Sequence, residues 1–359
     1  AALGPSSFFL YSNGFAYNGI FSSETQTTCP SPQGSFLRKN VFLRQQWPLA
    51  AIKVQRHQGA GSRKTKDNVF SLTKEMTKEI SQMARKRDKT GAKLVFRQME
   101  ESGIKPNVFS YTAVINAHAN CRDTKGMENW FGHMQAAGVE ANEVTYATLL
   151  KGHAGTGNTA QCEHWYDQMV AADVRPNALA FNILLDGCAS AGDTALMEKW
   201  FGRMQAAGVA ADEVTYNTLL KGHARKGYTA QLEHWYNHMV AAGVRPDDRT
   251  FSTLIDGCAV AGDTDLMEKW FGHMQEARVA ANVVTYTTLL KGYASKGNTA
   301  QLEHWYNHMV AAGVRPDVQT FNTLINGCAV AGDTALMTDL MEKWFGHMQE
   351  ARVAAGVSQ

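Results

Sequence analysis

The sequence predicts an all-α solenoid of stacked helix-turn-helix repeats. Three observations carry that expectation. The chain copies itself every 35 residues, each copy holds two amphipathic helical stripes, and glycine or proline ends each stripe. The copy EVTYNTLLKGHARKGYTAQLEHWYNHMVAAGVRPD, from Glu213 to Asp247, reappears as VVTYTTLLKGYASKGNTAQLEHWYNHMVAAGVRPD from Val283 to Asp317. A third, EVTYATLLKGHAGTGNTAQCEHWYDQMVAADVRPN, runs from Glu143 to Asn177. Between them stand units of a second type, such as Ala178 to Asp212, so two alternating flavours make a 70-residue superperiod.

Each unit reads as two helices. Tyr216, Leu219, Leu220, His223 and Ala224 follow i, i+3, i+4, i+7, i+8, and Gly227 breaks the stripe. Leu232, Trp235, Tyr236, Met239 and Val240 repeat that spacing until Gly243 and Pro246. One hairpin cannot bury both stripes, but stacked neighbours can, which is the logic of a solenoid. Full units begin at Val108, Glu143, Ala178, Glu213, Asp248, Val283 and Val318. A degenerate unit from Thr73 to Asn107 precedes them, and the last carries four extra residues around Thr338 to Met341 before running out. The domain expectation is therefore a degenerate first repeat within 67–107 and seven repeats over 108–359.

Residues 1–66 differ in composition. Glu24 is their only acid, against eight Lys and Arg, with Ser, Thr, Gly, Pro and Gln filling much of the rest. Acid-poor, Arg-bearing and Ser-rich is the composition of a transit peptide, so this segment is expected to be disordered and to direct import into a chloroplast, or alternatively a mitochondrion. A basic extension that tethers RNA is the other reading.

The formal net charge of the 359-residue chain is only +2, so a phosphate-binding surface must gather its Lys and Arg on one face. No C-x-x-C pair or zinc spacing occurs, and Cys188, Cys258 and Cys328 recur every 70 residues, as small buried side chains in a reducing compartment would. No run of 18 apolar residues exists. His234 and His238 stand i, i+4, but Glu233 precedes rather than follows the first His, unlike the zinc-protease pattern. The tryptophans near the second-helix stripe read as core. No metal site, cofactor or catalytic constellation is expected, and no enzyme.

Off the buried stripe of the first helix, Val214, Asn217 and Lys221 are spaced i, i+3, i+7 and line a second face. Repeated along the stack, that face becomes a ribbon able to meet a linear ligand one unit at a time. The motif VTYNTLLKGHARKG…A…HWYNHM…GVRPD is similar to the pentatricopeptide repeat consensus in length, in its V-T-Y-N-T-L start and in its G-V-x-P-D end, over about residues 73–359. The resemblance implies a right-handed superhelix that binds single-stranded RNA, one base per repeat. It also implies that the fifth and last residues of a unit select the base while the second wedges between bases.

Carried over unit by unit, Thr77 with Asn107 and Thr112 with Asn142 imply adenine, while Ala147 with Asn177 leaves its base open. Asn182 with Asp212 and Asn217 with Asp247 imply uracil. Ser252 with Asn282 implies adenine, Thr287 with Asp317 guanine, and Asn322 a pyrimidine. The implied target is 5′-AANUUAG(C/U)-3′. The wedges are Phe109, Val144, Leu179, Val214, Arg249, Val284 and Gln319. By the same resemblance the partners are single-stranded RNA and RNA-processing proteins, with no membrane, and the chain is a monomer. Its role is in organellar RNA processing, stability, editing or translation. The alternative is a helical-repeat protein scaffold.

Two simpler roles compete for these residues. Asp or Asn at the end of each unit also suits a helix N-cap. Lys151, Lys221 and Lys291 alternate with Asn116, Asp186, Asp256 and Asn326, which suits a cross-repeat Lys–Asp ladder as well as phosphate contact.

Overall fold

The structure is a computed structural model, and it describes residues 63–354. The disordered, import-directing segment expected at the N-terminus falls almost wholly outside that range. Within it the structure is all α: α1 (Arg63–Arg85), α2 (Lys89–Glu101), α3 (Val108–Asn120), α4 (Thr124–Ala136), α5 (Glu143–Ala154), α6 (Thr159–Ala171), α7 (Ala178–Ala191) and α8 (Thr194–Ala206) are followed by α9 (Glu213–Ala224), α10 (Thr229–Ala241), α11 (Asp248–Ala261), α12 (Thr264–Glu276), α13 (Val283–Ala294), α14 (Thr299–Ala311), α15 (Val318–Ala331) and α16 (Thr334–Ala354). Odd-numbered helices are the first of each repeat, even-numbered the second.

Two boundaries differ from the sequence expectation. Helix α1 begins at Arg63, so the division at residue 66 falls inside it, and the first helix starts ten residues before Thr73. Met76, Ile80 and Ala84, one turn apart, form its buried stripe. At the other end α16 has 21 residues where the other second helices have 13, four of the extra eight being the insertion and the rest a continuation past the usual helix end. Four residues are close to one helical turn, so the helix absorbs them without breaking.

Each first helix packs along the first helix of the next repeat, α3 on α5 and α5 on α7, whereas backbones of consecutive second helices stand apart. The first-helix layer therefore lies on the inside of the curve. From the Glu143 repeat onward its close spacing is met by glycine at the tenth position, where the Val108 repeat has Ala117. A Cβ on Gly257 would lie 2.3 Å from Leu232 Cδ1 and 3.0 Å from Ala224 Cα.

Rings bridge the wider outer layer. Phe131 meets Trp165 edge-on at 5.0 Å, Tyr166 meets Trp200 at 4.8 Å, Phe201 meets Trp235 at 4.8 Å, and Phe271 meets Trp305 at 4.9 Å. The ring of one repeat thus docks on the Trp of the next, a contact worth about 0.5–1.5 kcal/mol beyond the apolar area it buries. Trp165, Trp200, Trp235, Trp270 and Trp305 are buried, as core residues should be.

The eleventh position alternates His or Tyr with Cys. His153 Nε2 lies 3.1 Å from Glu128 and His223 Nε2 3.4 Å from Glu198, each carboxylate coming from the preceding repeat. Tyr293 replaces this His and donates to Glu268. Burial pushes the pKa of His118, His153 and His223 down despite the acids beside them.

Candidate nucleic-acid interface

The last residue of each repeat caps the next first helix. Asn107, Asn142, Asn177, Asp212, Asp247, Asn282 and Asp317 all adopt extended backbone, and each side chain accepts from the amide three residues on. Capping is thus real, but it engages only one side-chain oxygen, Oδ1. The second carboxylate oxygen or the amide nitrogen points elsewhere, so capping and base selection are compatible roles of the same side chain.

The fifth residue stands beside that cap. Asn182 Nδ2 donates to Asp212 Oδ1 at 3.2 Å, and Asn217 Nδ2 to Asp247 Oδ1 at 3.3 Å. The two residues carried over as base-selecting in these repeats are therefore joined by a hydrogen bond across 30 positions of sequence. Burial works to raise the pKa of Asp212 and Asp247, but hydrogen bonds from Thr215 and Thr250, joined by those from Asn182 and Asn217, hold both below the usual carboxylate range. Both stay ionised at neutral pH.

A third group had gone unnoticed in the sequence. The third residue of the following repeat reaches both members of the pair. Thr215 Oγ1 donates to Asn182 Oδ1 at 2.7 Å, and Thr250 Oγ1 to Asn217 Oδ1 at 2.8 Å. Hydroxyl pairs do the same elsewhere: Thr77 with Ser110 at 2.9 Å, Thr112 with Thr145 at 2.8 Å, Ser252 with Thr285 at 3.1 Å, Thr287 with Thr320 at 3.0 Å. Ala147 breaks the series, and opposite it stands Ala180. The first residue of some repeats also touches the last: Asn177 Nδ2 donates to Glu143 at 3.2 Å and Asn282 Nδ2 to Asp248 at 2.7 Å. Glu213 hydrogen-bonds Asp247, whose charge raises the Glu213 pKa.

The second residues form an exposed apolar row beside this polar one. Phe109 is 63 % exposed, Leu179 55 %, Val214 56 % and Val284 57 %, and Val144, Arg249 and Gln319 are exposed too. Apolar side chains also stand exposed at other repeated positions, such as Val170, Val240 and Val310, but those lie on the second helices. Between the first three wedges lies a groove of about 450 Å³, lined also by Thr77, Thr112, Asn142, Ala147 and Lys151. It brings together second- and fifth-position residues of four successive repeats. Asn322 is exposed on the same face.

Charge on this face is mostly spent internally. Lys221 Nζ lies 3.0 Å from Asp186, and Lys291 Nζ 3.0 Å from Asp256, so the cross-repeat ladder forms at those two steps. Lys151 faces Asn116 instead and is left to solvent in the groove. The His pairs are structural: His238 and His308 each bond a first-helix tyrosine, Tyr216 and Tyr286, at 2.9 Å. Among the described residues no cluster of His, Cys, Asp and Glu fit for a metal occurs, and no helix is long and apolar enough to cross a membrane.

Fold and surface together define an α-solenoid whose inner layer presents a row of exposed second-position residues beside a row of mostly polar fifth and last residues. Sequence profiles give the family. Residues 63–235 match the pentacotripeptide-repeat region of PRORP, residues 211–260 and 281–330 the PPR repeat family, residues 236–296 the pentatricopeptide repeat domain, and residues 319–353 the PPR repeat. The chain belongs to the pentatricopeptide repeat family. No curated protein sequence matches it. Among solved structures it is similar to the pentatricopeptide repeat protein PPR10 in complex with an 18-nt psaJ RNA element, with a TM-score of 0.65 and 20 % identity over 88 % of this chain and 49 % of that one. PPR10 from maize gives a TM-score of 0.51 and 20 % identity over 79 % and 48 %. The chain thus spans about half the length of that protein.

Proposed function

We propose that the chain binds single-stranded RNA along the first-helix layer and reads it one base per repeat. The observation that carries this is an exposed second residue recurring every 35 residues beside the fifth and last residues, which a hydrogen bond joins at Asn182–Asp212 and Asn217–Asp247. Single strands expose both the base face that a wedge packs on and the Watson–Crick edge that small amide, hydroxyl and carboxylate groups can distinguish. The similarity to a structure of PPR10 with an RNA element supports the same reading. The proposed target is 5′-AANUUAG(C/U)-3′, with the third base unread because Ala147 offers no polar group.

The protein acts by occupying RNA rather than by catalysis. It masks a site from nucleases, remodels local RNA structure or presents RNA to processing proteins. The setting is an organelle, a chloroplast or alternatively a mitochondrion, to which residues 1–66 direct it. Selection of bound RNAs from a random pool tests the reading. Enrichment of the octamer supports it, whereas no enrichment combined with capture of a defined peptide would put a protein scaffold in its place. A fluorescent protein carrying residues 1–66 should enter an organelle, and one that stays cytosolic refutes the address.

A further inference from the structure

Family resemblance supplies which pair goes with which base but not why, and the third-position hydroxyl offers a physical reason. Thr320 Oγ1 has one proton and two lone pairs. It lies 2.9 Å from the Asp317 carboxylate, accepts from the Asp317 amide at 3.3 Å, and lies 3.0 Å from the Thr287 hydroxyl. A charged acceptor outcompetes a neutral one for the single proton. With the proton on Asp317, Thr320 accepts from Thr287, and the Thr287 oxygen turns its lone pairs outward.

The distances divide by the nature of the last residue. From the third-position hydroxyl to a last-residue carboxylate they are 2.8, 2.8 and 2.9 Å, at Asp212, Asp247 and Asp317, but at the first two the same hydroxyl also serves the Asn182 and Asn217 carbonyl oxygens at 2.7 and 2.8 Å, so a carboxylate faces a pair of hydroxyls only at Asp317. To a last-residue amide oxygen they are 3.2, 3.0 and 3.3 Å, at Asn107, Asn142 and Asn282. The weaker pull of an amide frees the proton for the fifth residue. Thr112 and Ser252 then keep their own proton to donate outward, whereas Thr77 spends its proton on the Thr73 carbonyl at 2.8 Å.

We propose that, where the fifth residue is itself a Thr or Ser, the third-position hydroxyl of the following repeat is a positioning residue for base selection: it converts the charge of the last residue into the hydrogen-bond direction of the fifth. The inference rests on the RNA-reading proposal. No proton is transferred; only the direction of a hydrogen bond changes. An outward lone pair on Thr287 suits guanine, whose Watson–Crick edge donates at N1. An outward hydroxyl proton on Thr112 suits adenine, whose N1 accepts. Thr with Asp and Thr with Asn thereby select different purines with the same contacting side chain. A separate observation agrees. The one repeat whose fifth residue lacks a hydroxyl or amide, at Ala147, is also the one followed by Ala180 in place of Ser or Thr. The two members of the contact are present together or absent together.

Two variants test it by binding to octamers that differ at one base. Thr320→Val keeps the side-chain shape and removes the hydroxyl. It should bind the octamer overall, yet lose most of a roughly tenfold preference for guanine over adenine at the seventh base, and Thr320→Ser should restore it. Should Thr320→Val melt early, the complementary gain-of-function pair decides. Ala147→Thr alone should bind all four bases at the third position alike, while Ala147→Thr with Ala180→Thr should prefer adenine by about tenfold. Equal preference in the single and double variants, or full guanine preference in a folded Thr320→Val, overturns the inference. Failure of the unmodified chain to bind any octamer overturns the RNA reading itself.

Discussion

The repeats that begin at Glu213 and Val283 have the same length and differ at five positions: Glu213 and Val283, Asn217 and Thr287, His223 and Tyr293, Arg225 and Ser295, Tyr228 and Asn298. Their packing is the same. Leu232 and Leu302, Trp235 and Trp305, and Met239 and Met309 are buried alike. None of the differences changes a helix boundary by more than the repeat register allows, since α9 and α13 both have 12 residues and α10 and α14 both have 13. What changes is polar contact at the edges of the core. A repeat can therefore alter what it reads without altering how it stacks.

The contrast can be broken most strongly at the fifth position. Asn217→Thr turns the first of these repeats into the reader of the second, and should move its base from uracil to guanine with roughly tenfold loss on the original octamer. Gel shifts with the two octamers check it; unchanged binding to both would show that the fifth residue does not read. Next comes the second-helix cap. Tyr228 makes no side-chain cap, while Asn298 accepts from the Gln301 amide at 3.2 Å. Tyr228→Asn should stabilise the protein by about 1 kcal/mol in urea unfolding.

A smaller effect, confined to acid, is expected at the eleventh position. His223 is 1 % exposed, and burial holds its pKa below the ordinary 6.5. As pH falls through that value the unfolded chain takes up a proton that the folded chain refuses, so stability present above about pH 6.5 drains away on acidification. His223→Tyr should copy the Tyr293–Glu268 contact using Glu198, and raise Tm by a few degrees at pH 5.5 relative to its effect at pH 7.5. Thermal melts at the two pH values decide; a variant that gains equally at both would show that protonation is not involved. The smallest change is on the ladder. Lys221 and Asp186 are more than half exposed, so Asp186→Ala should cost stability little. It should free Lys221 for phosphate and steepen the salt dependence of RNA binding by about one unit of slope.

The fold was readable because glycines and apolar spacings recur at every repeat, and repetition removes the ambiguity of a single amphipathic stretch. The fifth and last residues stood out because they vary inside units that are otherwise copied, and the structure places them side by side. Thr215, Thr250, Thr285 and Thr320 escaped for the opposite reason: a residue that is Thr in most repeats gives little contrast. Their partners also lie 33 residues away, across a repeat junction that helical periodicity within one unit does not describe. Only the joint change of Ala147 and Ala180 hints at the contact. The start of α1 was misplaced because residues before Thr73 have no counterpart in the repeat, so register stopped where the helix did not. The ladder was undecidable from sequence, since an alternation of Lys with Asp is the same string whether the charges face each other or a ligand.

The insertion in the last repeat has a mechanical consequence. In α12, Met267, Trp270 and Phe271 are buried, at 0 %, 4 % and 4 % exposure. In α16 the equivalent places after Met337 fall to Leu340, which is buried, and Met341, which is 46 % exposed. A leucine thus stands where the ring of Tyr306 would have met a tryptophan, and the aromatic spine that runs from repeat to repeat loses a rung. Because such arrays are held together junction by junction, a weakened rung uncouples what lies beyond it. The repeat that carries Asn322 is thereby joined to the one before it with less aromatic contact than the junctions upstream.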